Sequence, residues 1–115
     1  MTRIQIKQVG EASAARFLEG LGMRIVDRNW RCRLGELDLV ALDGSTLVFV
    51  EVKARSHDSF VDPALGVDHR KRVKVRRVAG AYLALKRPEF KSCRFDVVSV
   101  VTGPPLKLGH IIDAF

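Results

Sequence analysis

The chain has 115 residues, 47% of them apolar, and carries 20 Lys and Arg against 13 Asp and Glu, a formal charge of +7. That length suits one domain spanning 1–115, able to build a core without staples. Cys32 and Cys93 stand alone, which argues against a disulfide framework or a zinc site. The longest apolar runs, LVFV and VVSVV, fall far short of the ~20 residues of a bilayer span, and residues 1–17 lack the apolar block of a signal peptide. The expectation is a soluble, cytoplasmic protein with no membrane partner. Its basic surface attracts polyanions, nucleic acid first among them.

Residues 11–21, EASAARFLEGL, predict a first helix. Ala14, Phe17, Leu18 and Leu21 fall on one stripe, and Gly20 and Gly22 mark its end. Glu11 then lies in the first turn. MRIVDRNW, 23–30, predicts a first strand, followed by strands over 36–42 and 47–54. Asp43-Gly44 makes the last two a hairpin, because both residues accept positive φ. Residues 55–67 read as a loop containing Pro63. Asp68 suits the N-cap of a helix over 69–86 whose apolar face is Val75, Val78, Ala79, Tyr82 and Leu83. Pro88 forbids its continuation. RFDVVSVV, 94–101, predicts a strand buried on both faces, and GHIID, 109–113, a short last one.

The element order is therefore α-β-β-β-α-β-β. The third strand, second helix and fourth strand form a β-α-β unit with parallel strands, while the hairpin is antiparallel. The fold class is α/β, a mixed sheet of four or five strands flanked by helices.

The hairpin carries unusual charges. Side chains alternate along a strand, so Glu51 and Lys53 share a face with Phe49. Glu36 and Asp38 share a face of the preceding strand. A two-residue loop at Asp43-Gly44 pairs Leu42 with Ser45 and sets Asp38 diagonal to Glu51. A four-residue loop pairs Leu42 with Leu47 and sets Asp38 opposite Glu51. Either puts both carboxylates on one face; a three-residue loop splits them. Like charges facing across a sheet need compensation, and Lys53 or a divalent cation can supply it. Hard oxygen ligands favour Mg²⁺ or Mn²⁺. Lys53 would project beside the ion, where an amine stabilises developing phosphate charge. The plain alternative is an ordinary ion pair on the wet side of a hairpin.

HRKRVKVRRV, 69–78, holds six Lys and Arg with no acid among them. Arg70, Lys71, Lys74 and Arg77 cluster on one side of the predicted helix and suit phosphate contact; Arg55 extends the track. His57, His69 and His110 read as surface or capping residues, and Trp30 and Tyr82 as core. Asp96, in a buried strand, needs a partner such as an arginine.

Asp38 followed by Glu51-Val52-Lys53 resembles the D…(D/E)xK signature of restriction-endonuclease-like nucleases, archaeal Holliday-junction resolvases included. The likeness extends to the YraN-type family of small bacterial proteins through GE (10–11), GLGMRIVDRNWR (20–31), GELDLVA (35–41), VFVEVKAR (48–55), Lys71 and Lys74, AYLAL (81–85), RFDVV (94–98) and DAF (113–115). That resemblance implies a restriction-endonuclease-like three-layer fold. It implies Asp38, Glu51 and the Val52 carbonyl as metal ligands, Lys53 as the catalytic amine, and Glu11 as an acid reaching the same site. Glu36 matches the family's GE, and Gly35 before it suits a bend or a close approach by another backbone.

The expected function is Mg²⁺- or Mn²⁺-dependent endonucleolytic cleavage of DNA, of branched or structured DNA in particular. Symmetric cutting of two strands would require a homodimer. The alternatives are a non-catalytic nucleic-acid-binding or scaffold protein with the same fold, and an interaction protein whose basic face meets an acidic partner.

Overall fold

The computed structural model describes residues 1–56 and 68–115. The elements are α1 (Arg3–Gly20), β1 (Arg24–Cys32), β2 (Gly35–Asp43), β3 (Thr46–Arg55), α2 (His69–Lys86), β4 (Ser92–Val101) and β5 (Lys107–Ile111). The expected order holds, and the sheet has five strands in the order β1-β2-β3-β4-β5. β3 and β4 are parallel across the α2 crossover; every other pair is antiparallel. The expected loop over 55–67, with Pro63 and His57, falls largely outside the described residues.

The helices cover opposite faces of the sheet. Ala14, Ala15 and Leu18 of α1 pack on Leu39, Ala41, Val48, Val50, Val98 and Val100. Val75, Val78, Ala79 and Tyr82 of α2 pack on Leu37, Val40, Leu47 and Phe49, with Trp30 against them. This is a three-layer α/β architecture in which β3 is central and buried from both sides. Val48 and Val50 face α1 while Leu47 and Phe49 face α2, as the pleat requires. No helix among the described residues is long and apolar enough to cross a membrane.

α1 begins eight residues earlier than its apolar stripe suggests. Thr2 caps it: Gln5 N–H donates to Thr2 Oγ1 at 3.1 Å, and Thr2 N–H donates to Gln5 Oε1 at 2.8 Å. Gly10 stands mid-helix for a packing reason, since a Cβ there would lie 2.5 Å from Ala54 Cβ on β3. Glu11 is consequently a mid-helix residue held against the sheet, not a first-turn acid. Leu21 follows the helix and is exposed.

The hairpin turn also shifts by one residue. Gly44 and Ser45 form it, Asp43 pairs with Thr46 and Leu42 with Leu47. The Leu42–Leu47 register therefore arises with a two-residue turn, because β2 runs on through Asp43. The paired register ends at Leu39↔Val50, one position short of Asp38 and Glu51.

α2 matches its expected bounds, and Lys71 N–H donates to the capping Asp68 Oδ1 at 2.9 Å. β5 lies two residues earlier than GHIID suggests. His110 is not a surface residue: its Nε2 meets Asp96 Oδ2 at 2.8 Å, and its ring stands edge-on to Phe17. Asp96 has its arginine, Arg94. Cys32 is half-buried, whereas Cys93 is exposed, and both thiols are free.

Candidate metal and nucleic-acid site

The β2–β3 ladder runs from Asp43↔Thr46 to Leu39↔Val50. Beyond it, Val52 N–H donates to the Asp38 side chain, Oδ2, at 2.9 Å. The aspartate thus takes the place of a ladder acceptor and is fixed by the backbone of the strand that bears Glu51 and Lys53. Glu36 stands two residues earlier on β2. Glu11 arrives from α1 through the close approach at Gly10. A carboxylate oxygen from each of Glu11, Glu36 and Asp38 lies within 4.8 Å of the other two. Asn29 of β1 ties two of them together: its amide nitrogen, in the orientation its neighbours require, donates to Glu36 Oε1 at 2.8 Å and Glu11 Oε1 at 2.9 Å. Asn29 has φ 50°, a left-handed conformation that Asn tolerates better than most residues.

Glu36 is half-buried and also meets Arg31 Nε at 3.3 Å, but the acids around it are buried and shorter of donors. Glu11, Asp38 and Glu51 are each 8% exposed. Glu11 Oε2 has no hydrogen-bond partner; the nearest cation, Lys7 Nζ, is 3.8 Å away. Burial, then the charges of Glu51 and Glu11, push the Asp38 carboxyl up to about 7 despite its bond from Val52. Burial also raises Glu11, against the pull of Lys7 and Asn29. Two buried acids that resist ionisation beside each other form a cradle suited to a positive ion. All the donors are hard oxygens, so the group fits Mg²⁺ or Mn²⁺ better than a soft-ligand metal.

Lysines surround the acids. Lys71 Nζ meets Glu51 Oε1 at 2.6 Å, and Lys7 Nζ meets Glu36 Oε1 at 3.4 Å. Burial and the Lys71 ammonium beside it lower the Lys53 amine to about 8. Burial would lower Lys71 as well, but Glu51 more than offsets it and Lys71 is raised. A cleft of about 660 Å³ opens between the helices, lined by Arg3 and Lys7 from α1, by Asp38, by residues 51–56 of β3 and its end, and by Lys71. A smaller pocket of about 190 Å³ shares Asp38, Glu51 and Lys71 and adds Glu36 and Lys74.

Most of the residues expected from sequence do converge. Asp38, Glu51, Val52, Lys53, Arg55 and Lys71 line the main cleft, Lys74 the adjoining pocket. Glu11 joins through the acid trio. Arg70 and Arg77 lie before and after Lys71 and Lys74 on α2, bordering an adjoining groove that shares Lys74. Glu51 is turned to Lys71, so α2 and not Lys53 supplies its counter-charge. The close approach at Gly35, φ 148°, is made by the Lys74 and Val78 side chains, not by another backbone.

Three members of the site escaped sequence reasoning: Asn29, Lys7 and the acid role of Glu36. Asn29 left one signal, an Asn inside a strand pattern, where that residue is disfavoured. Lys7 left none, because the helix turn that carries it has no apolar stripe.

Residues 10–100 match the model of the family described as Uncharacterised protein family UPF0102. A UPF0102 protein of Moorella thermoacetica is 50% identical over 100 residues, covering 87% of this chain and 83% of its own. One from Mycobacterium tuberculosis is 46% identical over 106 residues, covering 90% and 83%. One from Mycolicibacterium vanbaalenii is 45% identical over 102 residues, covering 89% and 84%.

Proposed function

We propose that this chain, which belongs to the UPF0102 family, is a Mg²⁺- or Mn²⁺-dependent endonuclease that hydrolyses phosphodiesters in DNA, in branched or structured DNA above all. The observation that carries this reading is the trio of buried Glu11 and Asp38 with half-buried Glu36, with an unpartnered oxygen on Glu11, beside Glu51 and Lys53 in a basic cleft. The resemblance of Asp38…Glu51-Val52-Lys53 to the signature of restriction-endonuclease-like nucleases supports the same reaction.

Asp38 and Glu51 would hold the ion, with the Val52 carbonyl as a third ligand and Glu11 and Glu36 completing the negative surround. The bound cation would activate water and neutralise charge on the phosphate. Lys53 projects beside these acids, and a lowered amine there can bear phosphate charge or exchange a proton near neutral pH. Lys71, Lys74, Arg55, Arg70 and Arg77 would position the phosphate backbone without reading sequence. Symmetric cutting of two strands would require a homodimer. The test is incubation with labelled duplex, flap and four-way DNA in Mn²⁺. Cleavage is expected in wild type and lost by at least about a hundredfold in Asp38→Ala, the scale of removing a charge-stabilising group. No cleavage of any substrate, or cleavage that survives Asp38→Ala, overturns the assignment.

A second reading is a nucleic-acid-binding protein with no turnover. Lys71 on Glu51 and Lys7 on Glu36 favour it, because the chain's own lysines already balance those acids. It requires salt-sensitive DNA binding that Lys74→Ala weakens and Glu51→Ala leaves unchanged.

A further inference from the structure

Beside the acids lies a groove of about 520 Å³ lined by Leu34, His69, Arg70, Val73, Lys74 and Arg77. Lys74 lines this groove and also the pocket containing Glu36, Asp38 and Glu51, so the two are neighbours. The groove combines three cations with two aliphatic side chains, and no carboxylate lines it among the described residues. Leu34 sits in the two-residue turn between β1 and β2 and is 50% exposed. Gly35 and Glu36 follow it directly, so the turn is tethered to the acid trio.

Cations alone would suffice to hold duplex phosphates. An exposed leucine gains nothing from a phosphate, and in a duplex the faces of the bases are stacked away from it. Unpaired bases, by contrast, offer apolar faces whose burial against aliphatic side chains is favourable, while their phosphates meet the surrounding cations. We propose that this groove receives unpaired bases of a single-stranded DNA segment continuous with the strand at the acid site. Leu34 and Val73 lie against base faces; Arg70, Lys74 and Arg77 take the phosphates. This deepens the nuclease reading by naming which part of a branched substrate is recognised, and it rests on that reading for the polymer.

The test is equilibrium binding in EDTA, so that cleavage plays no part, comparing a blunt duplex with the same duplex bearing a single-stranded tail. Wild type should bind the tailed duplex about tenfold more tightly, the scale of burying one aliphatic side chain. Leu34→Ala, an exposed turn substitution, should erase most of that margin while changing blunt-duplex binding less than about twofold. Arg77→Ala should weaken both and flatten the salt dependence. Equal affinity of wild type for the two DNAs, or a margin left unchanged by Leu34→Ala, overturns the proposal. Because no metal is present, these results are separable from the nuclease reading: cleavage abolished by Asp38→Ala with no tail preference would keep the enzyme and discard the groove.

Discussion

Carboxylates gather at two places against this sheet, and they are treated oppositely. Asp96 of β4 is fully buried yet complete: Arg94 Nε donates to Oδ1 at 3.0 Å and Arg94 Nη2 to Oδ2 at 3.2 Å, Asp113 N–H donates to Oδ1 at 3.0 Å, and His110 meets Oδ2 at 2.8 Å. Arg94 also reaches Asp43 at 3.1 Å, so the network clamps β5 and the β2–β3 turn to β4. Glu11, Glu36 and Asp38 are gathered with an oxygen left over and a carboxyl pushed up to about 7. A buried acid with every lone pair answered is architecture. One whose burial exceeds its donors carries an instability that a ligand can relieve.

The largest effect expected from this contrast is at the completed site. Asp96→Ala leaves Arg94 without its main partner in a buried setting and should cost about 3–5 kcal/mol by urea unfolding. A loss below about 1 kcal/mol would remove the structural role assigned to the network.

At the incomplete site the sign reverses. Asp38→Asn keeps an acceptor for Val52 N–H but removes a charge, so the metal-free variant should be more stable than wild type at pH 8, by on the order of 2 kcal/mol. Because the folded carboxyl lies above its ordinary value of 3.8, the native state favours the protonated form. The contribution of Asp38 to wild-type stability is therefore fullest below about pH 4 and is lost as pH rises through about 7. The advantage of Asp38→Asn should shrink correspondingly at pH 4, and denaturant titrations at the two pH values measure it. An advantage that is the same at both would show that Asp38 is no more strained than Asp96.

The smallest effect tests how Glu11 is delivered. Gly10→Ala puts a methyl group 2.5 Å from Ala54 Cβ. The overpacking, less the helix propensity regained, should leave a net cost of about 1 kcal/mol. The same shift moves Glu11 away from Asp38, so Mn²⁺ should raise the melting temperature of Gly10→Ala less than that of wild type. Equal shifts would mean that Glu11 does not face the ion.

Local chemistry was enough for the hairpin, the β-α-β unit and α2 with its Asp68 cap, because periodicity, turn residues and capping act over a few positions along the chain. The early start of α1 was not readable in that way, since a capping box and a packing glycine, not an apolar stripe, define it. Nor was the company that each carboxylate keeps. Glu11, Asn29, Glu36 and Asp38 come from α1, β1 and β2; Lys71 comes from across the crossover, and His110 reaches Asp96 from a different strand. Residue order places candidate acids on strands, but whether an acid ends with four hydrogen bonds or with an oxygen to spare depends largely on donors brought in by other elements. Only packing of the two helices onto the sheet settles that, and it is the difference between Asp96 and Asp38.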